Sequence, residues 1–527
     1  MKQLLFALLL GLFGQCSMQA QVPTFSVTVH TPQSSGYYFL TPIKFAAGTN
    51  TLLPTHLILD AEGNVAYYKK VQGTTEFKLQ PNGLMTYNRQ GKYYIMDSTF
   101  TLKDSVTTKN GVLFDGHELQ ILPNGNYLML GYENVTMDLS AYHIFNGTSA
   151  GSTTATVKCN VIQEQDAAKN VVFEWHCKDH YNFGDVDPQW LGSPANVDWT
   201  HANALELDAD GNFMISLRHF NEITKIRRSD SSIIWRLGGN ANQFTFTNDA
   251  PMFQGQHDIR RLANGNISLF DNGSAGTTLH PARAKEYQLN ETTHTATLVW
   301  SYTENASTYS SAMGSVQRLA NGNTLVDYGN LVNQNRIFNV VEPGGTKVFE
   351  IAFSDTLRSY RAFNYPALPW DLKRPAISCN FNGTQAYLDA GAGHASYLWN
   401  TGATTQTIAL SAAGNYSVRV PKGQGGFLYS APYAVSNLST PCLATGIAAT
   451  ATDEPWAIGP NPVNQQLHVS LPASGTGLSL DVFDAVGQCI YRRSDLHSEQ
   501  LTIDASQWEP GLYFLRIGNR TQKLIKQ

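Results

Sequence analysis

The chain is short of charge, of helical periodicity and of long apolar runs, and each shortage removes a class of function. Charged residues make up 15% of its 527 positions, and 36 Lys and Arg are scattered among 41 Asp and Glu for a net −5. No basic face suited to a phosphate backbone exists, so nucleic acid is excluded as a partner. Beyond the N terminus no stretch approaches the about 20 consecutive apolar residues of a membrane-spanning helix, and no transmembrane segment is expected. Cysteine is scarce, six in all, without the spacing of a cysteine-rich metal site. What is abundant is glycine, 43 residues, with aromatics at 11%, the mix of many short strands joined by tight turns. The length accommodates about two or three domains, or one large all-β domain taking most of the chain.

Lys2, the apolar run over 4–13 and the small Ala20 ahead of Gln21 form the three regions of a secretory signal peptide over 1–20. Gln15 before Cys16 speaks against lipid attachment there. In the exported chain an oxidising compartment permits the pairs Cys159–Cys177 and Cys379–Cys442, leaving Cys489 over, although spacing does not fix the connectivity.

One pattern recurs along residues 23–372: "HELQILPNGNYLMLGYE" at 117, "HANALELDADGNFMISLRH" at 201, "HDIRRLANGNISLFDNG" at 257, "GSVQRLANGNTLVDYGN" at 314, and a weaker copy, "FKLQPNGLMTY", at 77. Each reads as a hairpin around a turn that tolerates positive φ. A second strand type alternates with it: 64–70, 93–102, 170–178, 232–239, 296–303 and 346–353. Repeats of about 40 to 55 residues holding about four strands each are the mark of a β-propeller, here six-bladed. Thr-, Ser- and Gly-rich stretches at 134–160 and 178–200 read as long loops at blade ends. Residues 375–442 alternate apolar and polar positions between Gly-rich turns, as an Ig-like β-sandwich does, with Trp399 in its core. Residues 455–527 form a third all-β module.

The hairpins carry histidines in register. His117 and His257 stand eight residues before the turn glycines Gly125 and Gly265, His201 ten before Gly211, while Gly314 takes the place in the fourth copy. Equivalent positions of successive blades fall on one ring about the propeller axis, so the three imidazoles are expected to open onto one funnel. One histidine at a strand end is ordinarily a packing residue; three in matched register point to a site. Three His suit zinc, but no Asp or Glu stands in register to complete the set, unless Glu118 and Asp258, directly after their histidines, do so. An oxyanion suits the ring better, with Arg218 at the end of "FMISLR" supplying fixed charge, and no metal is expected.

The segment "VDWTHANALELDADGNFMISLRHFNEITKI" at 197–226, with "GQHDIRRLANGNISLFDNG" after it, resembles the aryl-sulfate sulfotransferase family over most of residues 23–372. The resemblance implies a six-bladed propeller that moves a sulfuryl group from a phenolic sulfate to a phenolic acceptor without the nucleotide donor PAPS, through a sulfohistidine, and with no cofactor. It implies that His257 is the nucleophile, His201 and Asn203 the His-x-Asn pair, Arg218 the anion-binding arginine and His117 the remaining active-site histidine. Asn203 reads equally as a strand-edge amide capping its neighbours. His219 follows Arg218 on a strand and is expected to face away. Family members often carry a larger N-terminal domain, which the segment ahead of the first blade is too short to supply. An imidazole with a pKa of about 6.5 is largely neutral at pH 7 and can attack sulfur.

The third module resembles the C-terminal sorting domain of type IX secretion, on its Pro-Asn-Pro start, "DVFDAVGQ" and the ending "GLYFLRI…QKLIKQ". That implies passage through the periplasm, with the type IX machinery as partner, to the cell surface or medium. A non-enzymatic secreted propeller, an adhesin or glycan-binding protein, is the competing reading; a quinone-dependent dehydrogenase or metal-dependent hydrolase on the same fold is another. Loss of all three histidines would leave an adhesin's ligand binding unchanged, and chelator sensitivity would mark a metalloenzyme.

Overall fold

The computed structural model describes residues 22–31, 36–44, 55–144, 149–273, 279–331, 335–353, 357–381, 385–438, 442, 457–470, 478–485, 488–496, 500–517 and 520–527. The expected signal peptide lies outside them. The chain divides into two compact units, Met1–Cys442 and Leu443–Gln527.

In the first unit six antiparallel sheets follow one another as blades. The recurrent hairpins supply the first two strands of a blade: Phe77–Leu79 with Met85–Arg89, Leu113–Ile121 with Tyr127–Met137, Ala202–Leu207 with Phe213–Leu217, His257–Arg261 with Ile267–Asp271, and Ser315–Arg318 with Thr324–Asp327. Their turn glycines Gly125, Gly211, Gly265 and Gly322 sit at φ of 85°, 80°, 86° and 86°; a Cβ would meet nothing within 4 Å at the first three and only Pro343, in ordinary contact at 3.8 Å, at the fourth. Glycine is there for the left-handed backbone alone.

The alternating segments form outer strands, Val65–Lys70, Val171–His176, Ile233–Gly238, Thr295–Tyr302 and Lys347–Phe353. In the second blade the expected strand over 93–102 is instead split by a turn at Asp97–Phe100 between Lys92–Met96 and Leu102–Val106. Much of 134–160, read as loop, is strand: Tyr127–Met137 and Ala155–Gln165 pair to their ends, Met137 opposite Ala155.

Both ends of the propeller sequence close the ring. Arg358–Tyr365 pairs with Tyr37–Ile43 and is the inner strand of the first blade, and Phe25–His30 pairs with Lys347–Phe353 as a fifth, outermost strand of the sixth. The core lies between blades, where Trp175, Leu205, Ile215 and Phe213 form one cluster and Trp235, Ile259, Leu269 and Tyr287 another. Each such side chain contributes about 1.5–3 kcal/mol by burial.

On the axis the inner strands meet through charge rather than apolar packing. Arg361 contacts Glu76 (2.6 Å), Glu118 (3.1 Å) and Asp258 (3.0 Å); Lys78 pairs with Glu76 and Glu118, and Arg260 with Glu118 and Asp258. The sequence reading offered Glu118 and Asp258 as partners of the histidines beside them. They belong instead to this buried network, paired with Lys78, Arg260 and Arg361.

Beyond the ring, Gly426–Tyr429 pairs with the first blade's outer strand, Phe427 opposite Tyr68, and extends that sheet to seven strands through Val418–Lys422 and Leu398–Trp399. Otherwise exposed strand-edge hydrogen-bonding groups are thereby covered. Trp399, 2% exposed, packs with Leu388, Ile408 and Val418. Cys379 and Cys442 are disulfide-bonded, whereas Cys159 and Cys177 are buried free thiols and the second permitted pair is not formed. The second unit stacks Ala457–Gly459, Gln466–Ser470 and Gln500–Asp504 against a four-stranded sheet around Leu467, Leu480, Val482 and Leu515.

Candidate active site

His117 lies within Leu113–Ile121, His201 directly precedes Ala202–Leu207 and His257 opens His257–Arg261, and a bulge interrupts the ladder near each. Pairing skips between Leu119 and Phe114 in the third blade, between Ala202 and Ala204 in the fourth, and between His257 and Arg260 in the fifth. A bulge re-aims side chains, and the left-handed backbone of His201 (φ 45°) and Asp258 (φ 60°) completes the turn toward the axis. The His117 and His201 rings stand 5.4 Å apart at 62°, and Tyr360 lies 5.6 Å from His117. Their side chains are 28% and 25% exposed, whereas His257 is 3% exposed.

Two of the imidazoles are bound by carboxylates that sequence register did not reveal. His117 Nδ1 meets Asp115, two residues earlier, and His201 Nδ1 meets Asp198, three earlier, at 2.6 Å. Burial would raise the pKa of Asp115, but His117 and Lys158 outweigh it and hold the carboxyl down at about 2. Asp198 is likewise held low against the effect of burial, mainly by His201. Burial lowers the pKa of His201, with Asp198 pulling the other way.

His257 is held differently. Its Nδ1 faces Asn272 Oδ1 at 2.8 Å and the Gly255 carbonyl at 3.1 Å, so Nδ1 carries the proton. The Asn272 amide is oriented by donating to Ser310 Oγ (3.1 Å) and the Met313 carbonyl (3.0 Å). His257 Nε2 keeps its lone pair and accepts the Met313 N–H at 3.2 Å. Burial first, then Arg218, pushes the pKa of this imidazole well below the usual value, so it is neutral at pH 7.

Arg218 begins a 3-10 turn, Arg218–Phe220, just past its strand. Its guanidinium lies 3.8 Å over the Trp190 ring, donates from Nη1 to His219 Nε2 (3.0 Å) and from Nη2 to the Ser311 carbonyl (2.9 Å), and has a buried Nε with no partner among the described residues. Burial pushes its pKa down to about 10, which leaves it charged at neutral pH. His219 does not face away as strand alternation predicts. In a 3-10 turn consecutive side chains no longer alternate, and its ring stacks 4.5 Å from His201 and 4.8 Å from Trp190. Trp190 comes from 178–200, which folds into short 3-10 turns and the strand Asn196–Asp198.

Asn203 is fully buried. Its Nδ2 donates to the Gln256 carbonyl at 2.7 Å, tying the fourth blade to the residue before His257, while its own carbonyl accepts from Tyr360 and Arg361, both at 2.7 Å. Asp198, His201 and His219 bring donor atoms within 4.8 Å of one another, the one spacing suited to a cation among the described residues. His201 Nδ1 is engaged by Asp198 Oδ2, and the His219 nitrogens by Arg218 and the Asp198 carbonyl, while the buried Asp198 Oδ1 has no hydrogen-bond partner among the described residues.

A family profile described as Arylsulfotransferase (ASST) matches residues 28–363, and one described as Secretion system C-terminal sorting domain matches 457–527. Similar solved structures include a protein of unknown function from Bacteroides caccae, at 11% identity over 63% of this chain and 100% of that one with a TM-score of 0.39. They also include an inactive variant of virginiamycin B lyase from Staphylococcus aureus, at 11% identity, 69% and 94% coverage and a TM-score of 0.32. A putative 6-phosphogluconolactonase from Bacteroides fragilis stands at 12% identity, 64% and 99% coverage and 0.33. None of these likenesses bears on chemistry. No curated protein matches the chain.

Proposed function

The chain belongs to the arylsulfotransferase family, and from that premise we propose that it transfers a sulfuryl group from a phenolic sulfate ester to a phenol, in two steps through a sulfohistidine at His257, without a nucleotide donor. The observation that carries the reading is the state of His257: a buried neutral imidazole with its Nδ1–H committed to Asn272 and its Nε2 unprotonated, its lone pair accepting only the Met313 N–H among the described residues.

In the first half-reaction Nε2 forms an N–S bond as the bond from sulfur to the phenolic oxygen breaks. The oxygen leaves with the bonding pair and takes a proton from His117 or His201, whose Nδ1 atoms are held by Asp115 and Asp198. In the second, an acceptor phenol returns a proton to that imidazole, its oxygen bonds to sulfur, and the N–S electrons go back to Nε2. Arg218 balances the charge spread over the three sulfuryl oxygens, and a preorganised donor of this kind is worth about 3 kcal/mol. The incoming group displaces the Met313 N–H from Nε2 and leaves that donor facing a sulfuryl oxygen. Asn203 serves by holding the two blades in register.

The sorting domain directs the chain to the cell surface or medium by type IX secretion. Within this proposal residues 1–20 are a removed leader, 23–372 the catalytic propeller, 375–442 an accessory Ig-like module and 455–527 the sorting module. The test is incubation of the purified protein with 4-nitrophenyl sulfate and a series of phenols. Colour release that depends on the acceptor is expected, with a mass gain of one SO3 on the His257 peptide that is absent in His257→Ala. Release to water alone would make the protein a sulfatase, and near-normal turnover in His257→Ala would remove the nucleophile.

A further inference from the structure

The resemblance that pointed to Arg218 leaves its neighbour without a role, and the geometry supplies one. We propose that His219 is the positioning residue of the anion site, a neutral imidazole whose Nδ1–H is anchored on the Asp198 carbonyl and whose Nε2 holds the Arg218 guanidinium flat against Trp190. The inference deepens the proposed sulfuryl-transfer reading and rests on it for the identity of the anion.

A guanidinium has only donors, so His219 Nε2, 3.0 Å from Arg218 Nη1, accepts with its lone pair. The proton then sits on Nδ1, which faces the Asp198 carbonyl at 2.6 Å. One tautomer satisfies both contacts. Burial, His201 and Arg218 all keep the ring neutral. Arg218 and His219 lie on the same face of the indole, because two groups sandwiching it would stand about 7 Å apart and could not share a hydrogen bond. The other face of His219 is covered by His201. Trp190, His219 and His201 thus form a stack, and Asp198 fixes two of its members, His201 by the carboxylate and His219 by the carbonyl. The long arginine side chain loses its rotamer freedom before the anion arrives, so that cost is removed from binding and from the transition state.

The experiment is a double-mutant cycle read by inorganic sulfate binding to the full chain in calorimetry, with 4-nitrophenyl sulfate turnover alongside. His219→Phe keeps the stack and loses both ring nitrogens; His219→Gln restores an acceptor toward Arg218. Loss of a hydrogen bond to a charged group predicts about tenfold weaker sulfate binding for His219→Phe, recovery to within about threefold for His219→Gln, and no added effect of His219→Phe in an Arg218→Ala background. Unchanged sulfate affinity in His219→Phe, a tenfold loss that persists without Arg218, or no sulfate binding by the parent protein would each overturn the proposal. Sulfate binding with the expected coupling but no aryl-sulfate turnover would uphold the positioning role and refute the transferase reading instead.

Discussion

Arg361→Met tests whether the charge network under the site is a structural floor. Arg361 is 1% exposed and meets three carboxylates, Glu76, Glu118 and Asp258, while donating to the backbone carbonyls of His117 (3.2 Å) and Asn203 (2.7 Å). After its removal Lys78 and Arg260 remain for three buried acids, so one negative charge is uncompensated. Removing one partner of a buried pair costs about 3–5 kcal/mol, and that loss is expected in urea unfolding of the full chain at neutral pH. The sign of its pH dependence follows from Glu118, whose carboxyl Arg260, Arg361 and Lys78 together hold well below its ordinary range despite burial. A depressed folded-state pKa contributes stability above the unfolded value of about 4.3 and loses it as pH falls through the folded value. The variant lacks part of that contribution, so the two proteins should converge in stability as pH drops below about 4. Turnover should fall with the stability loss, although Arg361 touches no reacting atom, because the carbonyls of His117 and Asn203 lose their anchor. A loss under about 1 kcal/mol at neutral pH, or an equal loss at both pH values, would refute the reasoning.

Two further outcomes are expected. The acidic limb of kcat/KM should lie below pH 6.5, since His257 must be unprotonated to attack and its pKa is depressed; Asn272→Asp, which sets a carboxylate against Nδ1, should move the limb upward, and an unshifted profile would detach His257 from the limb. His56 is fully buried with neither ring nitrogen hydrogen-bonded among the described residues, stacked 4.3 Å from Phe77, and burial pushes its pKa down. His56→Phe should stabilise by about 1–3 kcal/mol at neutral pH. The gain should grow as pH falls below about 6.5, where the unfolded parent takes up a proton that its folded state refuses; melting temperatures in buffers on either side of that value decide it.

The hairpins at 77, 117, 201, 257 and 314 were legible because alternation around a glycine turn is local, and the register of His117, His201 and His257 followed from them. The first blade was not legible as a hairpin, since its inner strand, Arg358–Tyr365, and the strand it pairs with, Tyr37–Ile43, stand at opposite ends of the propeller sequence. Asp115 stands two residues before His117, on the strand face that alternation gives both, but counting from the turn glycines marks only the histidines; Asp198 escaped notice because Asn196–Asp198 pairs with Ala155–Gln165 of the third blade, whereas His201 leads into the fourth. His219 was misdirected by extending strand alternation one residue into a 3-10 turn. That last miss falls where the backbone leaves its regular period, and there the Arg218–His219 pair is built.

The ring is latched twice, by Phe25–His30 on the sixth blade and by Arg358–Tyr365 on the first. Neither latch can form until nearly the whole propeller sequence has been made, so early blades wait for a strand that arrives last. Proteolytic trimming at one end would therefore be felt at the other. A permutant that joins these ends and opens the chain between two middle blades should instead trade two long-range closures for one.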